Sequence, residues 1–153
     1  MSVLTLVRGT LMLVTLAAGQ GALPAPAAEV QWKKSVGEAW QDTKEQSRPL
    51  LMFFTMDGCK YCTKMKQTYA DTGVAERINA SFIAVVVNAR GAPQLSKNYK
   101  VTAFPTTIII SPQAQVLGRV KGYVPPDRFA AELSKAVERA SSVSHRARRT
   151  RAR

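Results

Sequence analysis

The chain of 153 residues has only two cysteines, one histidine and ten acidic side chains. Each shortage excludes something. Cys59 and Cys62 stand three positions apart and cannot staple a small secreted fold, because so short a loop restrains little unfolded-chain entropy. With His145 as the only histidine, close to the C-terminus, the chain offers no closed four-ligand zinc site. The N-terminal apolar run, Gly9 to Gly19, is 11 residues long, too short for a comfortable membrane span. No cysteine stands near the end of that segment, which removes a lipid-modified N-terminus. No internal repeat is present, and the length suits one domain that buries its own core.

Acidic residues are scarce enough to leave a net charge of +12, unevenly spread. Without residues 1–28, which contain Arg8, the charge is +11; without the five arginines of Arg146–Arg153 as well, the part between holds +6. The body is moderately basic and the tail is a separate feature.

Residues 1–28 read as a secretory signal: Arg8, the apolar run, and Ala25-Pro26-Ala27 as a cleavage signal. The mature protein is expected outside the cytoplasm, periplasmic or secreted, where dithiols and disulfides exchange freely. An uncleaved signal that anchors the chain is the alternative. Residues 29–143 are expected to form the domain and 144–153 a basic disordered tail, since the chain from Ser141 on shows no periodicity.

Within the domain, residues 30–47 read as one amphipathic helix, with Trp32, Val36, Ala39, Trp40 and Thr43 at near-helical spacing. The tryptophans are expected to pack in the core. Leu50–Thr55 is apolar without alternation, as in a strand covered on both faces. Asp57-Gly58 breaks it, with Asp57 either capping the next helix or making the turn. Helix is expected over Cys59–Tyr69, with a break at Asp71-Thr72-Gly73 and further helix over Val74–Asn79. Ser81–Asn88 and Thr106–Ser111 read as buried strands and Gln115–Tyr123 as an antiparallel edge strand. A short helix over Gln94–Tyr99 and a last one over Arg128–Ala140 complete an order α-β-α-β-α-β-β-α. That order predicts an α/β fold, a central mixed sheet with helices on both faces.

The chemistry-bearing pattern is Cys59-Lys60-Tyr61-Cys62 after a buried strand and at the start of a helix. Such a pair points to redox chemistry or metal ligation ahead of two incidental cysteines. At a helix N-terminus the helix dipole favours the thiolate of Cys59. Lys60 either adds to that effect or is an ordinary solvated lysine. Cys62, one turn in, is expected to be shielded.

Together with Phe104-Pro105-Thr106 opening a later strand, this pattern over residues 30–140 resembles the thioredoxin superfamily. The run Asp57-Gly58-Cys59 to Met65 and the leading tryptophan-bearing helix are similar to its exported branch, related to the periplasmic reductant-transfer domains of bacterial disulfide-handling systems. The resemblance implies a thioredoxin-like fold and thiol–disulfide exchange, with Cys59 as nucleophile, Cys62 as resolving thiol and a redox-active Cys59–Cys62 disulfide. It also implies a cis bond before Pro105, which lies against the dithiol, and an extended substrate pairing with Phe104. Lys60 and Tyr61 then line the substrate's approach. No cofactor or metal is called for. The expected partners are protein disulfides or dithiols and a redox partner protein, with no nucleic acid, and the protein is expected to be a monomer. Membrane contact is expected only through the basic tail or an uncleaved signal. Helix position and Lys60 favour an oxidising pair, while the resemblance tips the direction towards reduction.

The sequence departs from thioredoxin itself. Phe53 stands where thioredoxin has a buried acid, Gly58 where it has tryptophan, and Lys60-Tyr61 where it has Gly-Pro. Two other functions stay open: a Cu(I) module in which Met56 or Met65 joins the cysteines, and a non-catalytic interaction protein using the basic tail.

Overall fold

A computed structural model describes residues 28–151. The leader read in residues 1–28 therefore lies, apart from Ala28, outside the described residues. The elements are β1 (Trp32–Lys33), α1 (Val36–Gln46), β2 (Leu50–Thr55), α2 (Lys60–Ala70), α3 (Thr72–Ser81), β3 (Ile83–Asn88), α4 (Pro93–Asn98), β4 (Thr106–Ile110), β5 (Val116–Lys121) and α5 (Pro126–Arg151). The strands form one sheet in the order β1-β3-β2-β4-β5. β2 runs parallel to β3 and antiparallel to β4, and β5 is antiparallel to β4, so the sheet is mixed as expected.

The uninterrupted apolar character of β2 has a direct cause. Leu51 and Phe53 point into one core with Met65, Tyr69, Ile78, Phe129 and Leu133. Leu50, Met52 and Phe54 point into a second core with Ala39 and Ile108. α2, α3 and α5 cover the first face, α1 and α4 the second. Each fully buried side chain of this size contributes about 1.5–3 kcal/mol.

Two expectations need correction. Residues 30–47 are not one helix: Trp32 and Lys33 pair with Ala84 and Val85 as an edge strand, and α1 begins after Ser35. Ser35 Oγ accepts from the amide of Glu38, whose carboxylate accepts from the amide of Lys34. This reciprocal cap fixes the helix start and frees the preceding residues to pair with β3. Trp32 still packs with the core, its ring centroid 5.0 Å from that of Tyr69.

The second correction concerns the tail. α5 continues to Arg151 instead of ending near Ala140. After Pro126 the helix meets neither proline nor glycine, and alanine and arginine are strong helix formers. Ala140 and Val143 also pack against the first core. Ser141 and Ser142 donate to the carbonyls of Val137 and Glu138. The residues expected to be disordered are thus helical through Arg151, with no break at position 144. Among the described residues no helix is long and apolar enough to cross a membrane.

Candidate active site

β2 delivers the chain to the site and must stop there. Asp57 and Gly58 form the turn, and Gly58 adopts φ +74, a left-handed conformation that side chains resist. Asp57 makes this turn but does not cap the helix. Its carboxylate instead accepts from the side-chain amide of Asn88 at 3.1 Å, joining the ends of β2 and β3.

Cys59 itself is the N-cap of α2. Its Sγ accepts from the amide of Cys62 at 3.1 Å, and its carbonyl accepts from the amides of Cys62 and Thr63. The first turn carries no acid. A negative charge on this sulfur would therefore meet an amide donor and the positive end of an 11-residue helix. The two cysteines are joined as a disulfide. Their surroundings are unequal: Cys59 is half-buried, whereas Cys62 is 2% exposed. Lys60 and Tyr61, between them, both face solvent.

Phe104-Pro105 reaches the same end of the sheet from the other side. The antiparallel register places Thr106 opposite Phe54 near the end of β2, so the two residues before Thr106 stand by the turn that leads to Cys59. The Phe104–Pro105 bond is cis, as the resemblance implies. Pro105 is buried, and its carbonyl accepts from the amide of Gly122 at 2.8 Å. Phe104 is partly exposed, and its amide and carbonyl have no backbone partner among the described residues. An extended segment can pair there.

An aromatic cluster fills the core between β2 and the helices α2 and α5. Phe53 is 1% exposed, with its ring 4.8 Å from that of Tyr69, and Phe129 stacks edge-on to Tyr69 at 5.2 Å. The phenol of Tyr69 shares a 2.7 Å hydrogen bond with the hydroxyl of Thr107. Burial pushes this phenol well above its ordinary range, while the bond to Thr107 opposes the shift, so it stays neutral. Met65 is fully buried in the same core and is not free to bind metal, whereas Met56 is exposed. Among the described residues no three of His, Cys, Asp and Glu cluster as metal ligands.

Residues that the sequence reading missed are Lys64 and Tyr123. The ammonium of Lys64 lies 5.9 Å from the ring centroids of both Tyr61 and Tyr123. Nothing in the local pattern marks Tyr123, because the contact joins positions 59 residues apart that only the fold brings together.

Comparison with known proteins gives concordant results. A family model described as a thioredoxin-like domain matches residues 36–137. The disulfide bond reductase DsbH of Chlamydia pneumoniae is 30% identical over 115 residues, covering 67% of this chain and 68% of the relative. Among solved structures, a thioredoxin from Thermus thermophilus superposes with a TM-score of 0.70 at 24% identity, covering 76% of this chain and 93% of its own. A structure titled DsbH oxidoreductase superposes at 0.66 with 23% identity, covering 81% and 95%. At these identities the structural likenesses speak for the fold alone.

Proposed function

The chain belongs to the thioredoxin-like family of thiol–disulfide oxidoreductases, and on that premise we propose that it reduces protein disulfides outside the cytoplasm through Cys59 and Cys62. The observation that carries this reading is the unequal burial of the pair. The half-buried Cys59 caps the helix with its sulfur, and the buried Cys62 lies a turn behind it.

In the reduced protein the Cys59 thiolate attacks one sulfur of a substrate disulfide. A bond forms between Cys59 and that sulfur, and the other substrate sulfur leaves as a thiolate. Cys62 then loses its proton and attacks Cys59 Sγ, releasing the second substrate thiol and forming the Cys59–Cys62 disulfide. Two electrons have passed to the substrate, and a partner dithiol must return two to reset the enzyme. The unpaired backbone of Phe104 beside Pro105 suits an extended substrate segment, with Lys60 and Tyr61 at its edge.

The reducing direction is supported by the named activity of the Chlamydia relative. Export is supported by the leader read in residues 1–28. The domain spans 29–143, is followed by a basic helical extension, and acts as a monomer.

Insulin reduction fed by a dithiol donor tests the reading. Wild type should turn over, Cys59→Ser should be inactive, and Cys62→Ser should accumulate mixed disulfides with substrate. A wild type that reduces nothing, together with a Cys62→Ser variant that traps nothing, would refute it.

A further inference from the structure

Three exposed side chains beside the dithiol are held together in a way that thiol exchange itself does not use. Tyr61 is 58% exposed on the first turn of α2, and Tyr123 is 41% exposed on the link between β5 and α5. Lys64, one turn along α2 from Cys59 and exposed, stands between their rings at 5.9 Å from each. The link that bears Tyr123 is fixed at both sides. The amide of Gly122 donates to the carbonyl of Pro105 at 2.8 Å, and the hydroxyl of Thr68 donates to the carbonyl of Val124 at 2.8 Å. The link bearing Tyr123 is therefore braced between Pro105 and the helix that carries the dithiol. Two rings left in water on a fixed frame, with a cation between them, form a ready contact surface.

The charge around this surface is mostly positive, with Asp57 and Asp127 the acids nearest in sequence. Lys60, Lys64 and Lys121 are all exposed. None of them has a carboxylate within ion-pair distance among the described residues. Between Thr55 and Lys66 the only acid is Asp57, and its carboxylate is engaged by Asn88. A partner that brings carboxylates to this rim meets unpaired ammonium groups and aromatic faces together.

We infer that Tyr61, Lys64 and Tyr123 form a docking wall that selects protein disulfides flanked by acidic residues. The inference rests on the reductase reading and names its substrate class: a cystine with Asp or Glu within a few residues, on the side that lies along α2. Lys64 is a specificity residue, while bond making and breaking stay with the two cysteines.

Two synthetic peptides test it, identical except that the residues flanking their cystine are glutamate in one and lysine in the other. Each is mixed in excess with fully reduced full-length protein, and oxidation of Cys59 and Cys62 is followed by quenching, thiol labelling and mass spectrometry. At low salt the acidic peptide should react on the order of tenfold faster, a gain typical of charge-steered encounter. The ratio should fall towards one at about 0.5 M salt, where exposed charges are screened within a few ångströms. Lys64→Glu should abolish or invert the preference. Tyr123→Ala should raise the acidic-peptide concentration needed for half-maximal rate and leave the saturated rate unchanged. Equal rates for the two peptides at low salt, or a preference that survives Lys64→Glu, would overturn the docking wall and leave the reductase reading standing. Failure to reduce either peptide would overturn the reductase reading itself.

Discussion

Tyr69 stands on the helix that carries the dithiol and Thr107 on the strand that follows Pro105, so the bond between their hydroxyls ties the two halves of the site together. The two residues are 3% and 1% exposed. Tyr69→Phe removes one hydroxyl and leaves the other buried without a partner, a loss of about 1–3 kcal/mol. Thr107→Val leaves the phenol stranded in the same way and costs a similar amount. The double variant replaces a bonded pair by apolar groups of the same shape, which is close to neutral. Urea unfolding of the four proteins should therefore show a coupling about equal to the two single losses together, about 2–6 kcal/mol, with the double variant more stable than the sum of the singles implies. The phenol adds a signature in pH. Burial raises it above its ordinary value of 10.0, so above that pH the unfolded chain releases a proton that the native chain keeps. The native state then binds more protons. Its stability, complete below pH 10, is lost as pH rises further, by up to about 1.4 kcal/mol per pH unit from this one group. Tyr69→Phe should lack that slope. A double variant that loses the full sum of the singles, or parallel alkaline profiles for wild type and Tyr69→Phe, would refute the reasoning.

Gly58→Ala should lower stability by about 1–2 kcal/mol, the cost of a left-handed backbone for a residue with a Cβ. No atom lies within 4 Å of the added carbon, so backbone conformation alone sets this loss, and an alanine variant that melts with wild type would contradict it. Deleting residues 145–153 should leave insulin reduction unchanged. Ser144 and His145 border a cavity with Ser47 and Pro49, at the end of the sheet where β2 begins, whereas the dithiol follows its other end. A large fall in turnover after the deletion would show that the basic helix contributes to the reaction.

What the sequence made legible follows from how far apart in the chain the deciding residues stand. β2 was legible because both its faces are covered and each residue from Leu50 to Phe54 had to be apolar. The turn at Asp57-Gly58 and the start of α2 were legible because the residues that break one element and begin the next are adjacent. β1 was not, because two residues carry no period and Trp32 falls at helical spacing with Val36 and Trp40. A local signal did exist in Ser35 and Glu38, whose capping pattern places the helix start after the strand. The helical tail was hidden for a different reason: from Ser144 to Arg151 the sequence offers a single apolar residue, Ala147, among four arginines, too little to show a period. Propensity and the packing of Ala140 and Val143 sustain it instead. The contact of Lys64 with Tyr123 needed the fold.

The departures from thioredoxin acquire a physical meaning once this core is in view. At the position of a buried acid, Phe53 packs on Trp32 and Tyr69. The buried polar residues among those described are threonines and serines, with no carboxylate or amine. A core with no buried carboxylate or amine among the described residues has two consequences for the proposed exchange. If Cys62 resolves the mixed disulfide as proposed, no buried base among the described residues takes its proton, which passes to solvent, and the rate of that step should follow bulk pH. Such a core also cannot discriminate between substrates by charge. Any charge selectivity must then be carried at the rim, where Lys60 and Lys64 stand exposed on the helix that begins at the half-buried Cys59.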